Sequence, residues 1–175
     1  MKMIKIFENT KTCRGFTLIE ILVTMVILAV GLLGLAGLVM DGMRNNQGAY
    51  LRTQASILAY DMADRMRANH SRATGGGDYA GFSTVGASTA IPACTTDAAG
   101  CTPAEQAIAD KAQWTSQLQG VGAGMAVLPG GVGEIAYDAG SNTFTVSVSW
   151  QEIEREGDAG EAIADDNKYE MRVSL

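Results

Sequence analysis

The run Phe16-Thr17-Leu18-Ile19-Glu20-Ile21-Leu22-Val23-Thr24-Met25-Val26-Ile27-Leu28-Ala29-Val30-Gly31-Leu32-Leu33-Gly34-Leu35-Ala36-Gly37-Leu38-Val39-Met40 decides how this chain must be built. It is 25 residues long and holds one charged side chain, Glu20. As a helix it reaches about 37 Å, enough to cross a hydrocarbon layer of about 30 Å with some tilt. Ahead of it, residues 1–15 carry Lys2, Lys5, Lys11 and Arg14 against Glu8, a net +3, and the next base beyond it is Arg44. The positive-inside rule therefore puts residues 1–14 in the cytoplasm and the rest of the chain across the membrane.

Glu20 separates the ways such a run is used. A carboxylate costs about 2.5–3.5 kcal/mol at the centre of an inserted helix and less near its end, where Glu20 lies. A plain signal anchor gives that cost no purpose. Neither does a secretory signal peptide with residues 18–32 as its apolar stretch and Gly34 or Ala36 at the cleavage site.

Arg14-Gly15-Phe16-Thr17-Leu18-Ile19-Glu20 resembles the type III signal of prepilins, the precursors of type IV pilins and pseudopilins. The resemblance implies that prepilin peptidase cuts between Gly15 and Phe16, on the cytoplasmic side. Phe16 then becomes an N-methylated first residue and Glu20 the fifth. The cut leaves a positive amine on an apolar helix that stays in the membrane. A carboxylate four residues on matches the axial offset between staggered helices, so Glu20 of one subunit pairs with the Phe16 amine of the next. Fixing register is the best-attested use of a buried charge. Downstream, Gly31-Leu32-Leu33-Gly34-Leu35-Ala36-Gly37-Leu38 resembles the corresponding run of PilV-type minor pilins, also called type IV pilus modification proteins. Gly31, Gly34 and Gly37 fan over about 120° of helix surface and permit close helix approach in lipid. Each lowers helix stability by about 1 kcal/mol relative to Ala.

The resemblance implies an α+β, pilin-like fold: a long N-terminal helix packed on a small antiparallel sheet. It divides the chain into a cleaved basic leader (1–15), a membrane and assembly half of the helix (16–40), an amphipathic half (41–70) and a periplasmic body (71–175). The implied partners are prepilin peptidase, other minor and major pilins through the N-terminal helix, and a tip adhesin. The implied location is the inner membrane before assembly and the pilus or its tip afterwards.

The residues past Met40 agree with that frame. Leu51, Ala55, Leu58, Met62 and Met66 recur at helical spacing, and Asp61 with Arg65 forms an i,i+4 ion pair. With no breaker before Gly75-Gly76-Gly77, one helix is expected over 17–70. His70 then stands exposed near the helix end. Residues 71–103, rich in Gly, Ala, Ser and Thr, read as loop. Within them Cys94 and Cys101 are expected to pair once the body is periplasmic, contributing roughly 2–3 kcal/mol by loop closure. Cys13 falls in the leader. In adhesive major pilins the disulfide usually closes a C-terminal loop; here the cysteines precede the sheet, which favours a minor pilin.

Thr102-Pro103-Ala104-Glu105 starts a second helix as N-cap, first-position proline and capping-box partner. This helix runs over 103–119, with Ile108, Ala112, Thr115 and Leu118 on one face and Gly120 at its end. Three to four antiparallel strands follow. Residues 125–128 form the first. Residues 134–137 pair with 143–150 through the turn at 138–142, with Phe144, Val146, Val148 and Trp150 on one face. Residues 168–175 place Tyr169, Met171, Val173 and Leu175 inward.

Residues 16–175 carry nine bases and eighteen acids, a net −9, which argues against nucleic-acid binding and a DNA-receptor role. One histidine in the chain argues against His metal sites and Ser–His or Cys–His catalysis. No Gly-x-Ser-x-Gly, phosphate loop or dinucleotide motif occurs. The acids over 158–167 lack EF-hand order and read as a solvated hairpin loop rather than a Ca²⁺ site. No catalytic residue, cofactor or metal is expected; the protein is the substrate of an enzyme. A type II secretion pseudopilin shares the whole N-terminal signal, and a membrane-anchored envelope enzyme is a further alternative.

Overall fold

The computed structural model describes residues 15–121, 126–156 and 160–175. It contains α1 (Leu18–Ala68), α2 (His70–Ala73), β1 (Phe82–Ser83), α3 (Pro103–Gln119), β2 (Val132–Asp138), β3 (Thr143–Glu156) and β4 (Gly160–Ser174), with short 3₁₀ turns at Thr74–Gly76 and Ala93–Thr95. The fold is α+β, a long apolar N-terminal helix with a small antiparallel sheet. The chain forms two compact units, meeting in sequence between Asn45 and Asn46 within α1.

In the first unit, α1 carries large apolar side chains on every side, and all of them from Phe16 to Met43 are exposed. Its most apolar stretch buries nothing, and the helix is long and apolar enough to cross a membrane.

In the second unit α1 is one-sided. Leu51, Ala55, Leu58, Ala59, Met62, Ala63 and Met66 are buried, on the stripe that the spacing predicts. They join Ala107, Trp114 and Leu118 of α3 and Ile135, Phe144, Val146, Val148, Trp150 and Val173 of the sheet in one core. Helices on one face of a sheet are a two-layer solution to burying a stripe against a plane. The sheet order is β1-β2-β3-β4, antiparallel throughout. β3 places Phe144, Val146, Val148 and Trp150 inward as alternation requires. In β4, Val173 is buried while Tyr169, Met171 and Leu175 are half-buried against the core.

Five expectations need correction. α1 stops at Ala68, and Asn69, buried by its hydrogen bonds, separates it from α2. The loop region contains β1, which pairs Phe82 with Ile135 and Ser83 with Glu134. Residues 126–128 are not a strand, and Met125 lies outside the described residues; Leu128 is buried beside the Pro129-Gly130 turn, whose Gly130 has φ 58°. On α3, Ala112, Thr115 and Leu118 are buried as expected, but Ile108 faces solvent, 52% exposed, and Ala107, Asp110 and Trp114 complete the buried face. The acid-rich stretch is largely strand, since β4 begins at Gly160; Asp158 lies outside the described residues. The leader residues 1–14 lie outside them as well.

α3 meets its prediction in bounds and caps. Thr102 Oγ1 accepts from Glu105 N at 3.4 Å, and Thr102 N donates to Glu105 Oε2 at 2.9 Å. Gly120 closes the helix in the left-handed region at φ 65°, where a Cβ is disfavoured.

Candidate processing and assembly site

Gly15, Phe16 and Thr17 precede α1 in non-helical backbone. Phe16 is 79% exposed. The Gly15–Phe16 bond is thus outside the helix and exposed. Thr17 acts as the helix N-cap. Its carbonyl accepts from Glu20 N at 3.1 Å and Ile21 N at 3.3 Å, and its Oγ1 lies 3.4 Å from Glu20 N. The Thr-x-x-Glu spacing is the sequence signal for this cap. The reciprocal bond, from the Thr17 amide to the Glu20 carboxylate, is not made. Among the described residues the Glu20 carboxylate has no partner. It stands exposed in the first turn, where the helix dipole favours an acid.

Gly31, Gly34 and Gly37 have no neighbouring atom within 4 Å of where a Cβ would stand. Nothing among the described residues therefore requires glycine at these three positions.

The predicted disulfide is present: Cys94 in its 3₁₀ turn is bonded to Cys101, with 4.8 Å between the Cα atoms. Cys101 directly precedes the α3 cap, so the bridge ties the loop to the start of that helix. Just inside lies a polar cluster whose members are too far apart in the sequence to give a local signal. Tyr79 donates to Asp110 Oδ2 at 2.6 Å, Gln106 donates to Asp110 Oδ1 at 2.8 Å, and Arg65 lies 3.6 Å from the same oxygen. Asn69 donates to Tyr79 Oη and to the Pro103 carbonyl. Burial, and then the bond to Asp110, push the Tyr79 phenol above its usual pKa. The cluster is satisfied internally and clamps α3 to the end of α1. The shallow cleft over it, lined by Arg65, Asn69, Cys101, Pro103 and Gln106, exposes no reactive pair. No group of three or more His, Cys, Asp or Glu suited to a metal occurs among the described residues.

Residues 10–36 match the family described as the prokaryotic N-terminal methylation motif. The match takes in Arg14 to Glu20 and the apolar run as far as Ala36. It indicates a prepilin-like protein, processed by prepilin peptidase and assembled with other pilins. The body lies outside the matched segment. No curated protein and no solved structure matches the chain.

Proposed function

We propose that the chain is a minor pilin of a type IV pilus, of the PilV type. It is made as an inner-membrane prepilin, cut between Gly15 and Phe16 and methylated on Phe16. Helix packing then moves it into the fibre or its tip complex, where it helps start assembly. In this reading residues 1–15 are the leader, 16–40 the membrane and assembly half of the helix, 41–70 the amphipathic half and 71–175 the periplasmic body.

The observation that carries the reading is Glu20: an acid with no partner among the described residues, on the otherwise apolar and exposed first part of α1, four residues after the proposed new amino terminus. Its burial in a bundle needs a cation at that offset, and the Phe16 amine of a neighbouring subunit supplies one. The open space around Gly31, Gly34 and Gly37 supports a role in contacts between subunits. Apolar contacts with other helices replace lipid, so the mechanism requires no chemistry from the protein itself.

Mass spectrometry of the protein from cells with and without prepilin peptidase tests the first step. A chain that starts at methylated Phe16 only when the peptidase is present supports the reading; an intact Met1 or a start near Gly37 overturns it. Glu20→Ala is then expected to be cleaved normally and to be depleted from pili, and normal incorporation would refute the registry role. Counting pili in a deletion strain separates a pilus role from a secretion role.

A further inference from the structure

We propose that Trp150, Asn167 and Glu152 enclose a binding site for one water molecule, at the point where β3 and β4 slip in register. Trp150 is 2% exposed, and its indole nitrogen has no hydrogen-bond partner. The amide nitrogen of Asn167 is sealed from solvent and likewise has none. The two residues are direct cross-strand partners, so their side chains leave the sheet on the same face, the one that carries the core. Buried polar groups left unpaired are costly and rare. Two donors side by side share one remedy, an acceptor placed between them.

The strands themselves do not supply it. Between the Trp150–Asn167 pair and the Glu152–Ala164 pair, β3 advances two residues and β4 three. An extra residue in one strand disrupts the ladder locally and re-aims side chains. Gln151 N is bonded to the Pro129 carbonyl at 2.8 Å, outside the β3–β4 ladder. Glu152 has the opposite need. It is half-buried, and its carboxylate packs on α1 at Gly48: a Cβ there would meet Glu152 Oε1, with Cδ at 3.2 Å. The carboxylate therefore lies on the helix side of the sheet, as Trp150 and Asn167 do, two residues along β3 from Trp150. It has no partner among the described residues.

The occupant follows from these three groups. Both orphan nitrogens are closed to solvent, so the acceptor is enclosed with them, which excludes a group carried by another protein. The neighbouring Glu152 carboxylate disfavours an anion. Water accepts two hydrogen bonds and donates two. It takes the indole and amide hydrogens and gives one of its own to Glu152, which makes three bonds, the usual number for an enclosed water. The water thus links β3 and β4 to the carboxylate seated on α1, where the strand ladder is weakest. The proposal is independent of the assembly reading.

The test is nuclear magnetic resonance on the full-length chain in detergent micelles, deuterated at carbon and labelled with ¹⁵N. Rotating-frame spectra separate dipolar contact with water from proton exchange by sign. The Trp150 indole N–H is expected to show dipolar contact with a long-lived water. Trp114 is the internal control: it is equally buried, but its indole N–H donates to the Leu58 carbonyl at 3.0 Å and should show none. Asn167→Leu removes a donor and Glu152→Met removes the acceptor, and the contact at Trp150 should be lost in both. Glu152→Gln keeps an acceptor and should retain it. The proposal is overturned by absence of water contact at Trp150 in the parent chain, by equal contact at both tryptophans, or by a scalar coupling that reveals a direct bond from the indole to Asn167 Oδ1. Contact that survives Asn167→Leu or Glu152→Met, or is lost in Glu152→Gln, overturns it as well. The parent chain decides the matter even where a variant fails to fold.

Discussion

Gly133 on β2 lies directly against two side chains of α3. A Cβ built there would lie 2.6 Å from Trp114 Cζ3 and 2.7 Å from Leu118 Cδ1, with Trp114 Cη2 nearer still. Both side chains are fully buried, and Trp114 is also anchored by its indole N–H, which donates to the Leu58 carbonyl of α1 at 3.0 Å. The ring cannot swing aside without breaking that bond. Gly133→Ala therefore overpacks the core, at about 1–3 kcal/mol, while alanine recovers about 0.5–1 kcal/mol of backbone entropy in a strand. The net expectation is a loss of about 1–2 kcal/mol, or roughly 2–8 °C in Tm for a chain of this size. Trp114→Phe removes the two ring atoms in conflict. It also gives up the bond to Leu58, about 0.5–1.5 kcal/mol, and some buried area. In the double variant the alanine methyl enters the space that the indole vacates. The double loss should then fall short of the summed single losses by about 1 kcal/mol, a coupling typical of residues in contact. Thermal unfolding of all four proteins in micelles, followed by near-ultraviolet circular dichroism, measures the cycle. Strict additivity, or a neutral Gly133→Ala, would refute the claim that α3 is seated on β2 through this glycine.

Two further outcomes follow from the body. Cys94 and Cys101 are seven residues apart, so closing their loop contributes about 2.5 kcal/mol in the chain-entropy model; a Cys94→Ser, Cys101→Ser variant should unfold at correspondingly lower denaturant, and an unchanged midpoint would show that the bridge contributes nothing. The fold favours protonated Tyr79, whose pKa is raised above the ordinary 10.0 by burial and by Asp110. Stability from this group is thus complete below pH 10 and drains away as pH rises past it. Urea titrations at pH 8 and pH 10.5 should show the gap between parent and Tyr79→Phe narrowing at the higher pH, and a constant gap would exclude Tyr79 as the source of alkaline sensitivity.

How much could be read in advance depended on whether a feature is local. The buried stripe of α1 is a repeat of three and four residues, and the α3 cap is four consecutive residues; both are visible without a partner. The β2–β3 hairpin is signalled by alternation on either side of a turn rich in Asp, Gly and Asn. β1 is not local. Its two residues become a strand because Gly81 N bonds to Ile135 O and Thr84 N to Gly133 O, each at 2.9 Å. Residues 126–128 are apolar enough for a strand, but the Pro129 carbonyl accepts from Gln151 N at 2.8 Å, so the chain turns there instead of extending β2. On α3, hydropathy favoured Ile108 over Asp110. The structure reverses them because Tyr79, Gln106 and Arg65 supply the carboxylate with partners from three separate segments, which makes its burial tolerable. The same division separates the N-terminal motif from the position of β4 in the sheet. In the proposed reading a peptidase acts on an extended stretch of chain, so Gly15, Phe16 and Glu20 form a linear signal, and the matched motif over residues 10–36 is likewise local. The edge of β4 carries alternation like that of any half-buried strand. Only its place at the end of the sheet order leaves its outer side without a strand partner among the described residues.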